Sequence, residues 1–414
     1  MKKIYYGWWM VLGMVFMYAA TNGIAMYAFS VMRPLQIKAF GLDPQSAAFL
    51  PTILFVTVAL VSPFAGRLFD RLDTRRMIIG GTFAIIALTF GQVLVPNYGA
   101  LIAYYALFGT AMTFVGIISF MYLINHWFNK HRGLAAGVLL LGSSLGGIVF
   151  PKIAASAGPD WQQACIRLGV ACAVFMLPPL LLIKNRPSDV GSYPDGIDPA
   201  NVEAKYAAGG SNITLKQALA SPTFYLVLFV TGVLWFCING YIQNHGFIMK
   251  DLGLDAPAAA KVLGVFSSMA ILGKLLFGYL SDKFDRKYIM VLSIITMTAS
   301  VFMLQNALQD SALLTPFALV FGLGFGGAFT IIQVWVSDIY AGRSFGAILG
   351  IVTMVDTLAG SAGMITLGSM RKASDSYAGS LNLLLILCGI AIVSAFLVRK
   401  PASQVATGTL PVNA

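Results

Sequence analysis

Two charged residues fall where a charge is hardest to keep. Lys274 lies in an apolar stretch eight residues before Asp282, about 12 Å along a helix axis from that end. Asp356 lies in Met354-Val355-Asp356-Thr357, near the middle of another apolar stretch. Ionisable groups in such surroundings are costly, so each is read first as functional. Lys274 offers a point positive charge to an anion, without the planar fork of an arginine. The bland alternative is a lysine that snorkels to a nearby interface. Asp356 is too short to snorkel and must face protein or a water-filled cavity. It is expected as a protonatable partner of Lys274, with a purely structural ion pair as the alternative.

A second constellation occurs twice. Gly66-Arg67-Leu68-Phe69-Asp70-Arg71-Leu72-Asp73 matches Gly278-Tyr279-Leu280-Ser281-Asp282-Lys283-Phe284-Asp285, offset by one interval at every position. The glycine lets two helices approach closely, and the aspartate can cap a neighbouring helix end or pair with a loop arginine. Asp70, Arg71, Asp282, Lys283 and Arg286 are therefore candidate gating residues. Asn22 and Tyr27, Tyr122, Asn239 and Gln333 are uncharged polar residues within apolar stretches, and are candidates to line a binding path. The competing reading for each is a hydrogen bond between helices. Gln243 is a weaker candidate of the same kind, and His245 is expected as an interfacial histidine.

The elements that carry these residues follow from composition. The chain has 414 residues, 58% hydrophobic and 10% charged, where a soluble domain carries about 25% charged residues. The apolar residues come in blocks near the ~20 needed to span a bilayer, and backbone polar groups in lipid must be satisfied internally, so the blocks are helices. Alternating strands of a membrane barrel are absent. Helices are expected at 7–32, 46–68, 77–95, 99–125, 134–155, 163–183, 222–247, 257–280, 288–307, 312–339, 345–367 and 378–398. These make an all-α membrane protein of two six-helix bundles, over 1–183 and 222–398. Residues 184–221, with Pro187, Pro194, Pro199 and Gly209-Gly210-Ser211, form a linker, and 399–414 form a tail. The N-terminal block is expected as an uncleaved first helix.

With both termini inside, inner segments collect about eighteen Lys and Arg and outer segments about eight. Termini and linker are therefore expected to be cytoplasmic. The net charge of +11 reads as a topology signal, and nucleic acid is not expected as a partner. Cys165, Cys172, Cys237 and Cys388 fall in apolar blocks without metal-binding spacing. Neither metal nor cofactor is expected, and no Walker-type phosphate cradle or hydrolase motif occurs.

The repeated Gly-x-x-x-Asp-(Arg/Lys) stretch resembles the major facilitator superfamily. The family pattern continues with glycine and two basic residues. Here Asp73 and Asp285 replace the glycine and Thr74 one basic residue, while Arg75, Arg76, Arg286 and Lys287 keep the charge. Further segments are similar to bacterial monocarboxylate-transporter homologues and oxalate:formate-exchanger relatives. They are Tyr6-Gly7-Trp8-Trp9, Trp127 through Gly137, Gly142-Ser143-Ser144-Leu145-Gly146, Asp189-Val190-Gly191 and Pro194-Asp195-Gly196, then Thr214 through Leu219 and Pro222-Thr223-Phe224.

The resemblance implies an alternating-access carrier of two rocking bundles. In that branch the position of Lys274, usually arginine, binds substrate carboxylate. The second cation of the oxalate:formate exchangers falls here on apolar Val352, and the first helix lacks the lysine of the animal relatives. One cation then serves the cavity, favouring a small monocarboxylate over a dicarboxylate. The expected partners are that substrate, protons and the bilayer of a bacterial inner membrane. The carrier is expected to work as a monomer and to be no enzyme. An exchanger without proton coupling, or a ligand sensor on the same fold, is the alternative.

Overall fold

The computed structural model describes residues 4–42, 44–198, 213–307 and 310–399. Pro199, Gly209-Gly210-Ser211 and the tail beyond 399 lie outside the described residues. Among those described, twelve helices are long and apolar enough to cross a membrane: α1 Tyr6–Phe40, α2 Phe49–Phe69, α3 Thr74–Leu94, α4 Tyr98–Trp127, α5 Arg132–Ala155, α6 Trp161–Leu180, α7 Pro222–Asp251, α8 Lys261–Lys283, α9 Arg286–Ala307, α10 Leu314–Tyr340, α11 Phe345–Ser374 and α12 Ala378–Leu397. They form two six-helix bundles, α1–α6 and α7–α12. An even number of spans puts both ends of the chain and the linker on one side, called here the linker side.

Short polar side chains start many of the spans. Asp73 accepts the Arg76 amide at 2.9 Å before α3, and Asn97 accepts that of Ala100 at 2.9 Å before α4. Asp160 accepts from Gln162 and Gln163 before α6, and Asp255 accepts from Ala258 at 2.8 Å near the start of α8. Each cap satisfies amides that have no partner within the helix. Two helices outrun their apolar blocks. The first passes Arg33 and Pro34 and ends at Gly41, whose φ of 61° is left-handed. The eleventh ends at Asp375, also left-handed at φ 54°. Apolar length sets the minimum span, whereas the residue able to leave helical geometry sets the end.

Two interruptions bear on the site. In α1, Gly23–Ala28 forms a π-helical turn, which widens the helix directly after Asn22 and re-aims Tyr27. In α4, Gly116 is extended, and its amide is taken by the Ser119 hydroxyl at 3.2 Å.

The bundles meet along two seams. On one, α2 packs against α11; on the other, α5 packs against α8. Glycines bring the backbones together. A Cβ on Gly346 would strike the Gly66 carbonyl, and one on Gly133 would strike Ser281 and the Gly278 carbonyl. Gly350 lies against Ser62, and Gly137 against the backbone of Lys274. All these approaches fall in the linker-side halves of the helices, so the molecule is closed on the linker side.

The described part of the linker is strapped to the first bundle. Asp195, at φ 56°, accepts the amides of Asn129 and Lys130 at 2.7 Å each and that of His131 at 3.3 Å. Asn185 accepts the Arg75 amide at 2.8 Å and donates to Asp73 at 2.9 Å. The Tyr5 hydroxyl donates to the Trp127 carbonyl at 2.9 Å. Before α7, Thr214 opens a separate short helix, Leu215–Leu219.

These contacts give a first prediction. Gly346→Val forces a branched side chain onto the backbone of α2, and overpacking of this kind costs about 1–3 kcal/mol. The cost falls on the closed seam alone, so the variant should stay folded but populate the linker-side-closed state several-fold less. Cysteine accessibility at the linker-side ends of α2 and α11 reads this; unchanged accessibility would refute it.

Candidate functional site

The repeated aspartates do the same thing twice. Asp70, just past α2, accepts the amides of Gly346 at 2.8 Å and Ala347 at 2.9 Å, at the start of α11. Asp282, at the end of α8, accepts those of Gly133 at 2.7 Å and Leu134 at 2.8 Å, at the start of α5. Each carboxylate thus caps a helix of the opposite bundle, where free amides and the helix dipole both favour an anion.

The basic candidates divide. Arg286 binds Asp338 at 2.6 Å and reaches Asp282 at 4.0 Å, which ties the cap to α10. Arg71 and Lys283 are exposed; Lys283 lies over the Tyr279 ring, 5.6 Å from its centroid. Neither enters the seam. Asp73 and Asp285, the departures from the repeat pattern, act locally: Asp73 caps α3, and Asp285 accepts the Lys287 amide at 2.9 Å at the start of α9. The amide of Arg76, with Asn185 beside it, holds the Asp73 carboxyl below its usual range.

Lys274 is buried in the second seam, with 2% of its surface exposed. Its backbone fits between glycines: Gly137 of α5 on one side and Gly326 of α10 on the other. Its Nζ donates to Ser143 Oγ at 2.7 Å and Ser144 Oγ at 2.9 Å. Those serines sit at the middle of α5, so the side chain delivers its charge to the centre of the span. The Phe329 ring faces the ammonium with its centroid 5.3 Å away, a cation–π distance. Phe329 in turn meets Trp235 edge-on at 5.3 Å. No carboxylate lies within ion-pair distance of Lys274 among the described residues. The snorkelling alternative fails here, since the ammonium is buried on neutral hydroxyls.

Asp356 is also buried, but elsewhere. It stands beside Thr231 of α7, and its Oδ1 has no hydrogen-bond partner among the described residues. The expected Lys274–Asp356 pair is not formed in this state. The reason is packing: α8 lies on α5 and α10, while α11 lies on α2 and α7, so Lys274 enters the seam with α5 and Asp356 faces α7 within its own bundle. What connects them is α7. Thr231 beside Asp356 is one turn from Trp235, which touches Phe329 above the ammonium.

The polar candidates scatter. Asn239 follows Trp235 by one turn on α7, donates to the Trp235 carbonyl at 3.4 Å and lies against Gly360 of α11, while Gln333 follows Phe329 by one turn on α10. Gln333 Oε1 is buried without a partner among the described residues. Asn22 is buried on α1 next to Tyr18. Tyr27 is 41% exposed, its ring against Gly147 of α5. Tyr122 is not in this group. It lies on the linker side between Phe69 and Phe345, at 6.3 and 6.5 Å, beneath the Asp70 cap. It sits five residues from the linker-side end of α4, so its ring belongs to the closed end. Gln243 is exposed. His245 bridges Tyr241 at 2.6 Å and the Ala259 carbonyl at 3.0 Å, a structural tie between α7 and the start of the eighth helix. Ser143, Ser144, Trp235 and Phe329 were missed as site residues. The only sequence signal was the small, hydroxylated Gly142–Gly146 segment in mid-span.

Twelve span-length helices among the described residues, two equivalent caps closing one end, and the buried Lys274 ammonium between the halves make the build of a membrane carrier. The family model described as Major Facilitator Superfamily matches residues 12–363, with a second match over 224–411. The chain belongs to the major facilitator superfamily and is a transporter, not an enzyme. It is similar to the uncharacterized MFS-type transporter YcxA of Bacillus subtilis, 24% identical over 93% of each chain. It is similar also to monocarboxylate transporter 12 of Rattus norvegicus, 21% identical over 94% of this chain and 84% of the other. Among solved structures, the proton:xylose symporter XylE superposes with a TM-score of 0.76, at 13% identity over 97% of both chains. An outward-facing bacterial homologue of the iron transporter ferroportin gives 0.72, at 14% identity over 95% of this chain and 98% of that one.

The gate geometry carries a pH prediction. Burial raises the Asp70 carboxyl from 3.8 to about 6, even though the Ala347 and Gly346 amides pull it down. An opened gate returns this group to water and to its ordinary value. The closed state therefore binds more protons between those two values, and it gains stability as pH falls from 7 through 6 towards 4. Lowering pH from 7.5 to 5 should enrich the linker-side-closed state, and Asp70→Asn should remove that part of the response. An identical pH response in Asp70→Asn would exclude Asp70 as its source.

Proposed function

We propose that this carrier moves a small monocarboxylate together with a proton by alternating access. The observation that supports this best is the Lys274 ammonium, buried at mid-span on two neutral hydroxyls with no carboxylate paired to it among the described residues. A full charge in such a place is strongly short of counter-charge. A substrate carboxylate supplies it. One cation matches one negative charge, and apolar Val352, buried in α11, adds no second. The similarity to a monocarboxylate transporter agrees with this reading. The excess of Lys and Arg on the linker side supports termini facing the cytoplasm of a bacterial inner membrane, so the present state would open outward.

Asp356 is the proton-carrying group in this proposal. A carboxyl buried without a cation is stable with its proton on; a cation brought close reverses that preference. In the present state no cation meets it, and α7 is the element through which movement at Lys274 reaches it, by way of Phe329, Trp235 and Thr231. The absence of a direct pair also supports a second reading, anion exchange in which Asp356 plays no coupling role.

Two variants test the site. Lys274→Gln keeps length and polarity but removes the charge, and should weaken binding of monocarboxylates at least tenfold in purified protein while the thermal transition survives. Near-native affinity in this variant would end the proposal. Asp356→Asn in proteoliposomes should abolish accumulation driven by a pH difference alone and retain substrate exchange. Continued accumulation would show that the proton is carried by another group and that Asp356 has no coupling role; no pH-driven accumulation in the wild type would leave exchange by Lys274 as the reading that stands. Competition should rank propionate and pyruvate above oxalate and succinate; the reverse order contradicts a monoanion site.

A further inference from the structure

The groups that hold Lys274 belong to the other half of the molecule. Lys274 is on α8 and its two acceptors, Ser143 and Ser144, are on α5. Ser143 is fixed as an acceptor, because its own proton is donated to the Leu140 carbonyl at 2.9 Å. The ammonium has three N–H groups. Two are spent on the serines, and the Phe329 ring stands over the ammonium as well. With 2% of the residue exposed, no anion can touch the ammonium unless one of these groups withdraws. The serine oxygens stand at 2.7 and 2.9 Å from the ammonium, the acceptor distance that a carboxylate oxygen would take.

We propose that Ser143 and Ser144 are a stand-in for the substrate carboxylate, a mid-membrane tie between the bundles that substrate releases. This rests on the reading of Lys274 as the anion site. Both kinds of bond have an ionised donor, but a carboxylate adds the attraction of a full opposite charge, which a neutral hydroxyl lacks and which is large in a water-poor site. The carboxylate therefore replaces the serines on the ammonium. The exchange has a mechanical result. With the serines in place, α5 and α8 are joined both at mid-span and at the Asp282 cap. With substrate in place, the mid-span tie is gone, and of the two polar ties across that seam only the Asp282 cap is left beside the glycine packing. The empty carrier is thus held closed on the linker side, and the loaded one is freed to rock. Ser143 and Ser144 are positioning residues: they set the resting place of the ammonium and make its release depend on an anion.

The test needs no knowledge of the natural substrate. Spin labels at the far-side ends of the two bundles, on Leu94→Cys and Phe247→Cys, report the opening; both positions are exposed, and the four native cysteines are buried. Without ligand, Ser143→Ala/Ser144→Ala should move the population roughly tenfold towards the shorter, far-side-closed distance, the size expected for hydrogen bonds to a charged group. Lys274→Met should give the same shift, and the triple variant no more than either, because one interaction is being removed twice. Ser143→Thr, which keeps the hydroxyl, should restore the wild-type distribution. Additive shifts, or no shift, overturn the tie.

Propionate as a probe separates this from the reading beneath it. It should shorten the distance in the wild type, and bind the double-alanine variant several-fold more tightly, since it no longer competes with the serines. If propionate binds neither protein while the ligand-free shifts are non-additive, the tie stands and the monocarboxylate reading falls. If propionate binds through Lys274 but the serine variants change neither distance nor affinity, the anion site stands and the tie is wrong.

Discussion

A carboxylate seated on the free amides of a helix in the opposite bundle, made twice, is the interaction on which the closed molecule depends. Asp70 on α11 and Asp282 on α5 each satisfy two amides that have no partner within their own helix. The arrangement dictates its surroundings. The amides are reachable only because Gly346 and Gly133 have no side chain where the opposing backbone passes. The carboxylate must come from the end of a neighbouring helix, which is why the aspartate follows the glycine of α2 or α8 by one turn. A cap of this kind is worth about 1 kcal/mol. Two such caps favour the closed state while leaving it within reach of substrate and pH.

The division of labour between the seams is the second constraint. Both seams share the cap and the glycine approach, but only the α5–α8 seam carries a charge at mid-span. Lys274 has its backbone wedged between Gly137 and Gly326, so the chain on either side cannot move without disturbing the ammonium. The α2–α11 seam instead has Ser62 and Pro63 against Gly350, and its carboxylate, Asp356, is turned towards α7. The pseudo-symmetry of the caps is thus broken at the centre, where the chemistry differs. On the proposed reading of Lys274, an anion entering there acts on one seam directly. It reaches the other only through the helix they share, with Trp235 and Thr231 one turn apart on it.

Much of this was legible in the sequence because the signals were of the right kind. Twelve apolar blocks near bilayer length gave the helices, and their ends moved most where a left-handed Gly41 or Asp375 set the stop. The repeated Gly-x-x-x-Asp pointed to the two caps between the bundles, since a glycine and an aspartate at fixed spacing do one job in both copies. Lys274 and Asp356 announced themselves by charge in apolar surroundings. What did not read out was which way a side chain turns. Tyr122 looks like a cavity residue because it is polar in an apolar block. Its depth along α4, not its polarity, puts it at the closed end. The expected Lys274–Asp356 pair failed for a similar reason: both charges belong to one bundle, but helix packing turns Lys274 out to α5 across the seam and Asp356 in towards α7. Ser143 and Ser144 were hidden because serine in a membrane helix is ordinary, and only the neighbour across the seam makes these two unusual.

The linker adds a last step. Asp195 takes three successive amides ahead of α5, and Asp282 takes the next available pair at its start. Five backbone donors around one helix N-terminus are thereby shared between two carboxylates, one from the linker and one from the opposite bundle. Asp195 belongs to the same side of the seam as α5 and holds the loop in shape whether or not the bundles part. Asp282 is the partner that must leave. When it does, the loop is already organised by Asp195, and the amides of Gly133 and Leu134 are exposed in a geometry ready to receive the carboxylate again. The strap keeps the entropy of ordering that loop out of the contact between Asp282 and the start of α5.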